Sequence, residues 1–203
     1  MFITSPTVKT ISKTSGGVKV IITDAGHPVV AYVGVGSNVG FEGLQPRELV
    51  ERAIAELGRV VARSSLYATE PVGLAAQPTF LNAVVAVETE LSPLELLEGM
   101  LAIERRLGRD RTSGVKNGPR TLDLDLLLYG ELVMVSQRLT LPHPRLAERR
   151  FVLAPLAEIA PEMVVPGLGR TMVALLEALP GTGENGVGAV RRVASPPLIT
   201  IEP

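Results

Sequence analysis

Cysteine is absent from the 203 residues. Disulfides, thiolate metal sites and cysteine nucleophiles are thereby excluded together, and the composition fits a reducing compartment. Tryptophan is also missing, aromatic residues make up 3 % of the chain, and there are two histidines, which rules against a histidine-based metal site. No apolar run approaches the ~20 residues of a membrane helix. The opening MFITSPTVKTISKTSGG lacks the apolar centre of a signal peptide. Net charge is −1, so no bulk field draws nucleic acid or anionic lipid; any anion site must be local. The expectation is a cytoplasmic protein with no membrane and no nucleic-acid partner, acting as a monomer.

What is present is ordinary globular material, 46 % hydrophobic and 20 % charged. Residues 1–28 form a flexible leader or extra strand around VKVIIT; 29–180 hold the patterned domain; 181–203, with GTGENGVG and later two prolines, form a flexible tail. VVAYVGVG (29–36) suits a buried strand. LQPRELVERAIAELG (44–58) places Leu49, Ala53, Ile54 and Leu57 on one helical face and stops at Gly58. VVARSSLYAT (60–69) and FLNAVVAVET (80–89) suit strands, with a Pro/Gly loop between them. A second helix starts with Ser92 as N-cap, Pro93 in the first turn and Glu95 completing a capping box, and ends at Gly108. A short strand (132–135) and helices near 151–159 and 170–179 follow the strand at 123. The order strand–helix–strand–strand–helix–strand predicts an α+β ferredoxin-like βαββαβ sandwich. Its two helices pack on one face of an antiparallel sheet, with C-terminal helical additions.

GPRTLDLDLLLYG (118–130) concentrates the chemistry. In a strand, Asp123 and Asp125 share one face while Leu122, Leu124, Leu126 and Leu128 bury the other. The two Cα atoms stand ~6.6 Å apart at a ~3.3 Å rise per residue, close enough to converge on one divalent ion or bridge two. A helix would turn the carboxylates about 200° apart. All-oxygen ligation favours Mg²⁺, which takes one or two carboxylates plus substrate phosphates. An Asp-x-Asp by itself ends many strands with each carboxylate held by an arginine. Here, however, ERRLGRDRTSGVKNGPR (104–120) sets six basic residues against two acidic ones on a chain that is net negative. A basic, glycine-containing loop leading into paired carboxylates suits a polyphosphate substrate, with arginines as bidentate donors. Phosphoryl, nucleotidyl and diphosphoryl transfer all remain open on this motif alone. A dinucleotide enzyme is disfavoured, because GVGSNVG lacks the G-x-G-x-x-G spacing and no Walker A motif occurs.

KNGPRTLDLDLL, with YVGVGSNVG upstream and YATEPVG…QPTFLNAVV between, resembles 6-hydroxymethyl-7,8-dihydropterin pyrophosphokinase of folate biosynthesis. The resemblance runs from Val30 to Leu179 and includes LPHPRLAERRFVLAPLAEIAPE (141–162). It implies transfer of diphosphate from ATP to the pterin hydroxymethyl group with release of AMP, and two Mg²⁺ ions. By position, it implies that Asp123 and Asp125 ligate metal, and that Arg109 and Arg120, with Arg111 beside them, grip phosphates. Glu104, Arg138, Thr140, His143 and Arg149 match nucleotide-contacting positions. Thr69, Val72, Phe80, Asn82 and Phe151 match the pterin pocket, the phenylalanines stacking on the ring. Asn82 offers both donor and acceptor to a heterocycle edge. Loop 109–119 is expected to close over the phosphates. Asn117 stands where many relatives carry an aromatic residue, and Phe80 replaces a common tyrosine.

Overall fold

The computed structural model describes residues 9–10, 21–22, 28–71, 77–111, 118–180 and 189–194. Strands β1 (Lys9–Thr10) and β2 (Ile21–Ile22) pair with each other in the leader. The domain then runs β3 (Val29–Ser37), α1 (Pro46–Glu56), β4 (Arg59–Arg63), β5 (Leu66–Thr69), β6 (Phe80–Thr89), α2 (Pro93–Arg106) and β7 (Asp123–Tyr129). A small hairpin of β8 (Met134–Val135) and β9 (Thr140–Leu141) leads to α3 (Arg150–Ile159), α4 (Met172–Ala178) and β10 (Val190–Ala194). The main sheet is antiparallel in the order β10-β5-β6-β3-β7, with β4 also on β6. Setting β10 aside, this is the ferredoxin-like arrangement expected from the element order.

Small and β-branched residues build the centre of this sheet. Val33 and Val35 point to one face, where Leu49, Ala53 and Ile54 of α1 and Leu96, Met100 and Ile103 of α2 cover them. Ser92 and Glu95 cap α2 reciprocally, as its sequence signature requires. The opposite face carries a second core, in which Val84, Leu127 and Leu128 meet Val152, Leu153 and Leu156 of α3 and Met172 and Leu175 of α4. The C-terminal helices are therefore the second layer over the sheet.

Three features depart from the sequence reading. The strand expected at 60–69 breaks at Ser64–Ser65: both serines are fully buried, and Ser64 Oγ accepts from the Val84 N–H at 2.9 Å in place of a regular ladder contact. In β7 the register slips opposite Tyr32–Val33, so Leu126 faces α1 and α2 while Leu127 and Leu128 join the α3 core. Leu128 thus does not share the face of Leu122, Leu124 and Leu126. Finally, residues 190–194 of the expected flexible tail form β10, paired with β5.

Candidate active site

On the α3 face of the sheet, cross-strand register assembles one row. Asn82 of β6 lies opposite Gly36 of β3, and Gly36 lies opposite Asp123 of β7. Asp125 lies opposite Gly34. Glycine is needed at 36: a Cβ there would meet Asn82 Oδ1 at 2.8 Å. Asp123 and Asp125 therefore point the same way across a surface cleared of side chains, while Leu124 and Leu126 are buried behind them.

Arginines converge on this row from three segments. Arg120 Nη1 donates to Asp123 Oδ2 at 2.7 Å, Arg109 stands 3.7 Å from the other Asp123 oxygen, and Arg149 donates to Asp125 at 3.3 Å. Such pairs could merely anchor a strand end, yet they do not plug the site. The Asp123 and Asp125 side chains keep 26 % and 35 % exposure and open onto a cavity of about 450 Å³. Burial, and secondarily repulsion by Asp125, raises the Asp123 carboxyl above its ordinary range, against the pull of the arginines. Burial is also the main effect pushing the guanidiniums of Arg109 and Arg149 down, with neighbouring arginines adding to it. Arg109 Nε is buried without an acceptor among the described residues. A cluster of crowded cations around a carboxylate pair gains from a polyanion with divalent metal.

Local structure fixes these side chains. Gly108 ends α2 at φ +82° with the Phe41 ring packed where a Cβ would stand, and Arg109 N–H donates to the Glu104 carbonyl at 2.9 Å. Asn38 joins two loops: Oδ1 accepts from Arg120 N–H at 2.8 Å, and Nδ2 donates to the Pro78 carbonyl at 2.9 Å. Arg149 N-caps α3, and its guanidinium lies over the Phe151 ring at 5.4 Å; Arg120 lies over Phe80 at 5.3 Å. Phe80, Phe151, Asn82 and Thr69 line the same cavity, and Asn82 Nδ2 donates to Thr69 Oγ1 at 3.0 Å.

The cavity thus brings together Thr69, Phe80, Asn82, Arg109, Arg111, Arg120, Asp123, Asp125, Arg149 and Phe151. Four others sit elsewhere. Glu104 is fully buried beneath the site: it accepts from the Leu124 N–H at 2.8 Å and from Arg111 at 2.5 Å, so its carboxylate braces the aspartate strand and an arginine. Arg138 is exposed and paired with Glu98 at 2.9 Å, and Thr140 belongs to β9. The His143 backbone N–H donates to the Leu127 carbonyl, its ring Nδ1 accepts from Arg145 N–H, and burial pushes the imidazole pKa down. Val72 and loop residues 112–117 lie outside the described residues. The sequence reading missed Arg145, Glu148 and Glu70, which line the same cavity. The charge-dense PRLAERR was the available signal for the first two. Among the described residues, no three His, Asp or Glu side chains gather into a metal cluster.

The fold and site define a class: a ferredoxin-like α+β domain that offers paired carboxylates and arginines to a phosphorylated ligand beside an aromatic pocket. Over residues 32–161 the chain matches the model of the 7,8-dihydro-6-hydroxymethylpterin-pyrophosphokinase (HPPK) family. It is 44 % identical to 2-amino-4-hydroxy-6-hydroxymethyldihydropteridine pyrophosphokinase of Pseudomonas aeruginosa, over 75 % of this chain and 93 % of that one. With the enzyme of the same name from Methylorubrum extorquens it shares 49 % identity, over 68 % and 86 %. The crystal structure of wild-type Plasmodium falciparum HPPK-DHPS with pteroate superposes with a TM-score of 0.58 at 15 % identity. That match covers 81 % of this chain but 43 % of the other, so the chain spans less than half of that solved protein, and the likeness bears on fold alone. The chain belongs to the HPPK family.

Proposed function

We infer that this chain transfers the diphosphate of ATP to the hydroxymethyl group of 6-hydroxymethyl-7,8-dihydropterin, forming the pterin diphosphate and AMP in folate biosynthesis. One observation carries the reading beyond family membership: the Asp123–Asp125 pair opens onto a single cavity lined both by guanidiniums and by Phe80, Asn82 and Phe151. A polyphosphate and a flat heterocycle can meet there above the carboxylates.

In this mechanism the hydroxymethyl oxygen attacks the β-phosphorus in line and gives up its proton to solvent, the bond from that phosphorus to the α–β bridging oxygen breaks, and AMP leaves. No covalent protein nucleophile is needed, because such transfers depend on positioning and charge stabilisation. Phe80 and Phe151 hold the pterin by its faces, and Asn82, oriented by Thr69, meets its edge. Arg109, Arg111, Arg120 and Arg149, with Arg145 at the rim, orient the phosphates and take up charge as the bridging oxygen departs. Arg138, Thr140 and His143 serve the nucleotide outside the described cavity. Asp123 and Asp125 fit two Mg²⁺ ions, being half-buried, acceptor-only and turned to one side; the ions, when bound, supply charge neutralisation at the phosphates. Arg120 and Arg149, now paired with the aspartates, are then available to phosphate oxygens.

The protein acts as a cytoplasmic monomer on small molecules, without nucleic acid or membrane. No helix among the described residues is long and apolar enough to cross a bilayer. The pyrophosphokinase domain is residues 29–180, with β10 at 190–194 added to its sheet. ATP labelled at the β or the γ phosphorus tests the reaction class. Both labels must appear together in the pterin product; transfer of the γ label alone would mean phosphoryl transfer and contradict the assignment.

A further inference from the structure

We propose that β10, the C-terminal strand Val190–Ala194, is a positioning element for the pterin end of the cavity. It lies beyond residue 161, where the family match stops. It pairs antiparallel with β5, Val190 facing Thr69 and Arg192 facing Tyr67, and Glu70 N–H donates to the Ala189 carbonyl at 3.1 Å. Thr69 and Glu70 are cavity-lining residues, and Thr69 Oγ1 accepts from the Asn82 amide. The backbone that sets this wall is thus hydrogen-bonded to β6 on one side and to β10 on the other.

Without β10, β5 would be a four-residue edge strand, a kind of element that opens locally at little cost. Side chains reinforce the brace. Glu158 of α3 accepts from Ser65 Oγ at 2.6 Å, from Tyr67 OH at 2.9 Å and from Arg192 at 3.1 Å, joining β5, β10 and the helix that carries Phe151. No residue of β10 lines the cavity, so its effect passes through Thr69 and Glu70. Asp123 and Asp125 lie on β7, Arg109 follows α2, Arg120 precedes β7 and Arg149 precedes α3, so none of them sits on a strand of the β5–β10 ladder. Loss of the brace should therefore weaken the pterin and spare ATP.

This rests on the pterin occupying the Phe80–Asn82 end, and the experiment separates the two ideas. Counted from the Glu70–Ala189 bond, ladder alternation makes Arg191–Ala68 the next hydrogen-bonded pair, so Arg191→Pro removes a ladder donor. Arg191→Ala, at an exposed side chain, is its control. In the full chain, R191P should raise the pterin KM about fivefold or more. The ATP KM and kcat should stay within about twofold, and R191A should match the parent chain. Hydrogen exchange at residues 66–70 should quicken in R191P alone. An unchanged pterin KM, or an equal rise for ATP, overturns the proposal. Should the parent chain make no AMP, the activity reading fails, and exchange still decides: unaltered protection at 66–70 in R191P overturns the brace.

Discussion

A side chain at Gly36 would place its Cβ 2.8 Å from Asn82 Oδ1, inside contact distance. The empty space at Gly36 is what allows the Asn82 amide and the Asp123 carboxylate to flank one open surface. Gly36→Ala should raise the pterin KM by about tenfold through this overpacking while the melting temperature changes modestly. Steady-state kinetics with each substrate varied in turn checks the asymmetry; equal losses for ATP and pterin would place the clash elsewhere.

Asn38→Ala removes the acceptor for Arg120 N–H and the donor to Pro78, both in part-buried surroundings. The expected cost is about 1–3 kcal/mol of stability from groups left unpaired. Because Arg120 and the segment leading to Phe80 both lose their tether, KM for both substrates should rise. Denaturant unfolding and kinetics on the same preparation measure the two effects.

Asp123→Asn should lower turnover about a hundredfold or more while the protein stays folded. The sign of its stability effect follows from the raised Asp123 carboxyl. A carboxyl raised on folding contributes stability that is full below its unfolded value and lost as pH rises through its folded value. A neutral amide should therefore leave the metal-free melting temperature at neutral pH unchanged or higher. A fall of several degrees would return the residue to a structural ion-pair role.

Tyr67 supplies an alkaline signature. Burial first, then its hydrogen bond to Glu158, pushes the phenol from its ordinary 10.0 up to about 12. Its contribution to stability is complete below pH 10.0 and is lost as pH rises through about 12. The melting temperature of the parent chain should fall more steeply across that window than that of Tyr67→Phe, and parallel curves would contradict the assignment.

Much of this is legible in the sequence. The Ser92–Glu95 capping box, the Leu49–Ala53–Ile54–Leu57 stripe and the alternation around Asp123 and Asp125 encode geometry in local spacing, and the element order carried the fold class. The bulge at Leu127 was not legible, because a run of three leucines has no polar residue to mark which face each one takes. The resemblance assigned Glu104 to the nucleotide, and nothing in an amphipathic helix announces that its carboxylate also accepts from a distant strand's N–H. The strand Val190–Ala194 follows a glycine-rich segment, and its partner lies more than 100 residues away, so local pattern could not reveal it. Arg145 and Glu148 line the cavity just after His143, whose backbone N–H is held by the Leu127 carbonyl at the bulged end of β7, a contact between segments that local pattern does not carry.

The most direct test of the central claim is to incubate the full chain with ATP, Mg²⁺ and 6-hydroxymethyl-7,8-dihydropterin and identify the nucleotide released. AMP, formed in equal amount with the pterin diphosphate and lost in both Asp123→Asn and Asp125→Asn, is the predicted result. ADP as the product, or AMP formation that survives removal of both carboxylates, would contradict the account.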